Sequence, residues 1–211
     1  MRQSYIGLPA LISAVLLTAP FVGDAGATTL VFLDVPAKAR GADLIVQGTV
    51  VSQGSRWTGD GRRIVTDTVV KVGDVWKSHA SGEPPKTVTV RQPGGVVGDL
   101  AQRVDGVARF EEGEEVVLFL EARPGGAWLL HGMAQGKYRI ERTSDGKGAF
   151  AVPAVTGEAR LVDPKTGAES VQRNETVELS ALRRQVAQAV GSAPEEGVPS
   201  GPVTPVKPEG K

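Results

Sequence analysis

The chain has 211 residues, 40% hydrophobic and 23% charged, an ordinary globular composition with room for one core. Lysine plus arginine and aspartate plus glutamate balance at 24 each, so no net field draws the molecule onto nucleic acid or anionic lipid. Cysteine is absent, which excludes disulfides, a thiolate nucleophile, lipid attachment through a cysteine and most zinc-site patterns.

The first 27 residues read as an address. Arg2 and the amino terminus give a thin positive region, and 6–22 is apolar but interrupted by Pro9, Ser13, Thr18 and Pro20. Ala25-Gly26-Ala27 is the small-x-small pattern that signal peptidase accepts, which predicts cleavage between Ala27 and Thr28. An uncleaved anchor is the competing reading; two prolines and a marginal length count against it. Asn174 is the single asparagine, against abundant Ala, Gly, Val and Arg. That usage is the coding bias of a GC-rich bacterial genome, so the expected location is periplasmic or extracellular, with no stable membrane insertion after cleavage.

Asp34 followed by Val35-Pro36 predicts a short helix, with a capping carboxylate and proline in the first turn, ended at Gly41. The β-branched, apolar runs 44–51 and 64–76 flank Gly59-Asp60-Gly61 and predict a long hairpin. Gly48 suits a bend in the first strand, and the phase change near Val69-Val70 predicts a bulge. A third strand spans 87–92, broken by Pro93-Gly94-Gly95, and 96–114 reads as long and irregular, the kind of loop that carries contacts. Within it and at its start Gly94, Gly95, Asp99, Arg103 and Arg109 are the candidate contact residues. Strands follow at 115–121, 127–133 and 137–142, with 149–152 set to pair with the last. Leu179, Leu182, Val186 and Val190 recur at helical spacing after Asn174 and Thr176, which predicts an amphipathic helix over 176–190 covering an open side of the barrel. Residues 191–211 hold five prolines and no aromatic, which predicts a disordered, polyproline-like tail.

The fold expected is mainly β: an OB-like barrel of five or slightly more strands with the C-terminal helix packed on it, in a single domain over 28–190. The segments ADLIVQGTVVS, VVKVGDVWKS, TVTVRQP and GEEVVLFLEA resemble the netrin-like module of tissue inhibitors of metalloproteinases, and equally a set of exported bacterial proteins. That resemblance covers about half the chain and implies fold more than function. The inhibitors act through an N-terminal cysteine that chelates the protease zinc. The chain lacks one, so no inhibitory residue carries over.

The chemistry-bearing residues form no catalytic, cofactor or metal constellation in the sequence. His79 and His131 lie 52 positions apart and read as a loop residue and a packed strand residue, since a stable metal site needs three or four ligands. Glu111, Glu112, Glu114 and Glu115 surround Gly113 and read as a solvated turn. Trp57, Trp76, Trp128 and Arg91 read as core or rim residues, and nucleic acid is not an expected partner. Asn174-Glu175-Thr176 matches a glycosylation sequon but reads as a helix cap. The expectation is a non-enzymatic exported binding or structural module, partnered by a protein or an envelope component. A protease inhibitor acting by another mechanism is the alternative.

Overall fold

The computed structural model describes residues 28–78, 83–154, 159–170 and 174–191. Residues 1–27, expected to be a signal segment, His79 and the tail from 192 lie outside the described residues.

Chain order begins with β1 (Thr29–Val31) and α1 (Val35–Gly41). Asp34 caps α1 as its sequence predicts, Oδ1 accepting from the Ala37 amide at 2.7 Å, with proline in the first turn. The predicted hairpin is β2 (Leu44–Trp57) and β3 (Ile64–Ser78), both longer than their apolar runs. Its tip is closed by Thr58 and Asp60: the Thr58 hydroxyl donates to Asp60 Oδ1, which also accepts from the Arg62 amide. The same turn recurs at Thr143, Asp145 and Lys147, so T-x-D-G followed by a cation closes two hairpins identically.

The bulge expected near Val69-Val70 is present at that level but on the facing strand. Val50 pairs with Val70 and Ser52 with Val69, leaving Val51 unpaired. Two further shifts leave Gly73 and Trp76 extra on β3; the first moves the inward face from the even positions Val70 and Val72 to Val75, and the second moves it back. Together they coil the hairpin strongly. Gly48 is required in this coil, because a Cβ there would lie 2.4 Å from the Lys71 carbonyl oxygen.

β4 (Thr87–Pro93) is followed by a small hairpin, β5 (Gly95–Val97) and β6 (Leu100–Gln102), where the sequence reads as irregular. The signal was Gly98-Asp99 between two apolar pairs, a turn pattern in its own right. β7 (Glu115–Ala122) and β8 (Trp128–Leu130) come next. β8 is shorter than expected because Gly132 turns left-handed (φ 74) into a 3-10 turn at Met133–Gly136, so His131 sits in a turn and not in a strand. β9 (Lys137–Arg142) and β10 (Ala149–Pro153) form the expected pair. β11 (Arg160–Val162) pairs in parallel with β1, a contact no local pattern announced.

Five strands close the barrel. β2 pairs with β3, β3 with β4, β4 in parallel with β8, β8 with β7, and β7 with β2. Taken as first to fifth in chain order, the strands close as 1-2-3-5-4, an OB-like barrel. Its interior holds Leu44, Val46, Val50, Val70, Val88, Val90, Val116, Leu118 and Leu120, capped by Phe110.

A second core lies on the outside wall. Ile45, Val117 and Phe119 point outward from β2 and β7 and pack with Tyr138, Ile140 and Ala151 of the extended sheet. This is why LIV and VVLFL are apolar at consecutive positions: both faces are buried. β12 (Val177–Glu178) pairs with β10, and α2 (Leu179–Gly191) then lies over this wall beside α1. The helix therefore begins at Leu179, with Asn174 and Thr176 in irregular backbone ahead of it, and covers the outer wall, not an open side of the barrel. Its buried stripe is Leu182, Val186 and Ala189, while Val190 is 41% exposed.

Candidate functional site

The outer half of β2 runs on past its pairing with β7 while the outer half of β3 pairs with β4, and the excursion 94–114 lies along this hairpin. Gly94 (φ 91) and Gly95 (φ 135) turn the chain back onto the hairpin. The Gly94 amide donates to the Ile64 carbonyl at 2.8 Å, and a Cβ at Gly95 would fall 2.3 Å from Ser55 Oγ and 2.4 Å from Thr66 Oγ1. Those hydroxyls bond each other at 2.8 Å, and Thr66 donates on to the Gly94 carbonyl. Gln102 Oε1 accepts from the Ile64 amide, and Gln53 Nε2 donates to the Phe110 carbonyl, both at 2.8 Å. Beyond β6, the Gly106 carbonyl accepts from Ala134, tying the excursion to the far side of the barrel.

Gly94 and Gly95 therefore anchor the excursion on the hairpin. Asp99 occupies the exposed tip of the β5–β6 turn. Arg103 is exposed and pairs with Asp105 at 3.3 Å. Arg109 contributes its backbone: its carbonyl accepts from the buried Lys137 ammonium at 2.5 Å. The side chains that stand out are apolar. Val96 is 63% and Leu100 59% exposed, one on each strand of the small hairpin, and Trp57, at the outer end of β2, is 38% exposed. Val51, the bulge residue, adds a fourth at 52%. Arg62 and Arg63 at the hairpin tip are exposed beside them in sequence. Arg56 and Arg91 share Asp67, at 3.2 Å and 2.6 Å, and the hydrogen bond from Arg91 is the chief reason the Asp67 carboxyl titrates below its ordinary range.

The three tryptophans occupy three different places: Trp57 on the outer hairpin, Trp76 on the α2 side of β3, and Trp128 against the barrel core. They do not share a stacking face with Arg91.

Three buried lysines each bind backbone carbonyls. Lys77 of β3 donates to the carbonyls of Ala39, Arg40 and Ala42 at 2.8, 2.9 and 2.6 Å, satisfying the free end of α1. Lys38 donates to the Gln135 carbonyl at 3.1 Å and to the Tyr138 hydroxyl at 2.7 Å, with its ammonium 4.4 Å from the Tyr138 ring centre. Burial pulls its pKa down to about 7. Lys137 binds the Arg109 carbonyl and both Glu114 oxygens, at 2.7 and 2.8 Å, over the Phe110 ring.

The acidic cluster is divided by these contacts. Glu114 is the partner of Lys137 and also accepts from the Glu111 amide, while Glu115 takes Arg142. Gly113 (φ 84) makes the turn between them and the rest. His131 Nδ1 sits 2.5 Å from Glu121 Oε1 and packs over Gly41, where a Cβ would lie 2.4 Å from Nε2. That contact fixes the end of α1 against the turn after β8.

The sequence matches no protein-family model and no curated protein. No helix among the described residues is long and apolar enough to cross a membrane.

Proposed function

We propose that this chain is an exported, non-enzymatic binding module. Its contact surface is the β5–β6 hairpin together with the outer end of β2, centred on Val96, Leu100 and Trp57. The observation that carries the reading is the combination of exposure and tethering: large apolar side chains stand in solvent on backbone held by glycine seats and side-chain bonds. Large apolar side chains kept in water favour association, and a preformed surface lowers the ordering cost of binding. The partner is an exported protein that offers an apolar segment; the exposed arginines at 62 and 63 favour acidic flanks on it.

The test is in-cell cross-linking through a photoreactive residue at Leu100, with partners identified by mass spectrometry. A discrete adduct that disappears in Val96→Asp/Trp57→Ala supports the reading. An adduct pattern unchanged by that double substitution refutes it.

A further inference from the structure

Closure of the barrel leaves one stretch of sheet edge open. β7 pairs with β2 only from Leu44 to Thr49, and the last backbone bonds on that side join the Val50 amide to the Glu114 carbonyl and the Gly113 amide to the Val50 carbonyl, both at 2.9 Å. From Val51 to Trp57 no strand among the described residues continues the ladder there, and every residue of the stretch except the half-buried Ser55 is exposed. The hairpin's own bonds fix which groups face that side. The Thr58 amide donates to the Arg63 carbonyl at 2.8 Å, and the register runs unbroken from Trp57 opposite Ile64 to Ser52 opposite Val69. The even residues therefore bond β3, and the backbone N–H and C=O groups of Gln53 and Ser55 point to the open side. The Gly94 amide, which donates to the Ile64 carbonyl on the β4 side, obeys the same alternation.

Gly54 lies at the centre of this stretch. A glycine inside a strand weakens it and marks a bulge, a bend or a place where another backbone comes close. Gly54 sits at none of the register shifts, has no positive φ, and a Cβ on it would meet nothing within 4 Å, so nothing in its own chain requires glycine there. A second β2 running antiparallel about a two-fold axis at Gly54 accounts for it. Each Gln53 then faces Ser55 of the other copy and exchanges both backbone bonds with it, while the two Gly54 Cα atoms approach to about 4.5 Å in the position between. The exposed Val51 comes opposite the exposed Trp57 of the other copy. The lengths agree as well, since Trp57 of the other copy ends the pairing one residue short of the bonds already made by Val50. The charges are complementary. The exposed Glu111 and Glu112 belong to the turn fastened at Val50, and the two-fold brings the other copy's hairpin tip, with its exposed Arg62 and Arg63, to that end.

We infer that a second copy of this chain pairs with the open edge of β2, antiparallel and two-fold at Gly54, so that the β4-β3-β2 sheet continues into β2-β3-β4 of the other copy. The pairing satisfies the outward backbone groups of Gln53 and Ser55 and covers an edge that would otherwise template further strands. The same patch is used on both copies, so the assembly closes at two. It rests on none of the exposed residues of β5 and β6, and stands or falls independently of the partner proposed above.

Sedimentation equilibrium of the purified chain from about 1 to about 100 µM tests this, with Gly54→Lys and Gly54→Glu run alone and mixed. The native chain should show twice the monomer mass at the upper end. Each variant alone should show the monomer mass, because like charges come directly opposite, and the equimolar mixture should regain the dimer. The open space at Gly54 leaves each variant's own fold intact, which circular dichroism checks. A native chain that stays monomeric throughout, or a dimer that persists in both single variants, overturns the inference. So does a mixture that stays monomeric while both variants are folded. A second measurement needs no variant: exchange of the Gln53 and Ser55 amides in the native chain should slow about tenfold or more from the dilute to the concentrated sample. Rates independent of concentration there overturn the inference.

Discussion

Lys38 is the residue where burial and charge are most directly opposed. It is fully buried on α1, its ammonium meets a carbonyl and a phenol, and no carboxylate bonds to it among the described residues. In the unfolded chain it holds its proton to the ordinary lysine value near 10.5; in the folded chain it releases it near 7. Between these values the unfolded state binds more protons, so stability rises as pH rises from about 7 towards 10 and is lost again as pH falls through 7. Relative to Lys38→Met, the native chain should gain about 1.4 kcal/mol per pH unit across that window, read from urea midpoints at pH 7, 8 and 9. Parallel stability curves for the two proteins would show that Lys38 does not titrate there. The Tyr138 hydroxyl, raised above its usual value by burial, acts in the opposite sense above pH 10.

Gly48 shows the second kind of residue constraint, steric and independent of pH. Gly48→Ala should cost about 2–4 kcal/mol in urea denaturation, because the obstacle is the Lys71 backbone and no side chain can swing aside. The requirement for a small residue was visible as a lone glycine inside a β-branched run. The roles of the lysines were not, because a lysine in a loop or strand reads as solvated until long-range packing brings carbonyls around it.

At the scale of elements, the lysines tie segments distant in sequence to one another as cross-links would. Lys77 ties β3 to the end of α1, Lys38 ties α1 to the turn before β9, and Lys137 ties β9 to the excursion. Lys77→Met should leave three carbonyls at the end of α1 without their donor. The expected loss is about 2–3 kcal/mol, with faster amide exchange in α1 and little change in β7, measured by hydrogen exchange. Elements defined by local pattern were legible: the cap at Asp34, the hairpin around Gly59-Asp60-Gly61, the alternation of β4, and α2 in outline. Elements defined by distant partners were not. β8 ends early because Gly132 must turn over Leu33. α2 starts late because Val177 and Glu178 pair with β10. Its stripe runs through Ala189, so Val190, a better apolar residue on spacing alone, faces water.

For the whole molecule, closure of the five strands removes the sheet edges that the Val-rich inner half of the hairpin would otherwise offer for aggregation. The outer wall is covered in turn by α1 and α2, and of the large apolar side chains that remain exposed, Val51, Trp57, Val96 and Leu100 all lie on the outer hairpin or the excursion. The class of fold followed from alternation and turn residues. The proposed contact surface did not, since the glycines and arginines of the candidate loop drew attention away from the exposed Val96 and Leu100. Its usefulness depends on the excursion being held and not loose. Hydrogen exchange of the full chain, followed at the amides of Gly94, Val97 and Gln102, tests this most directly. Protection comparable to that of β4 is the result expected of a preformed platform; complete exchange of these amides within seconds, while β4 stays protected, would contradict it.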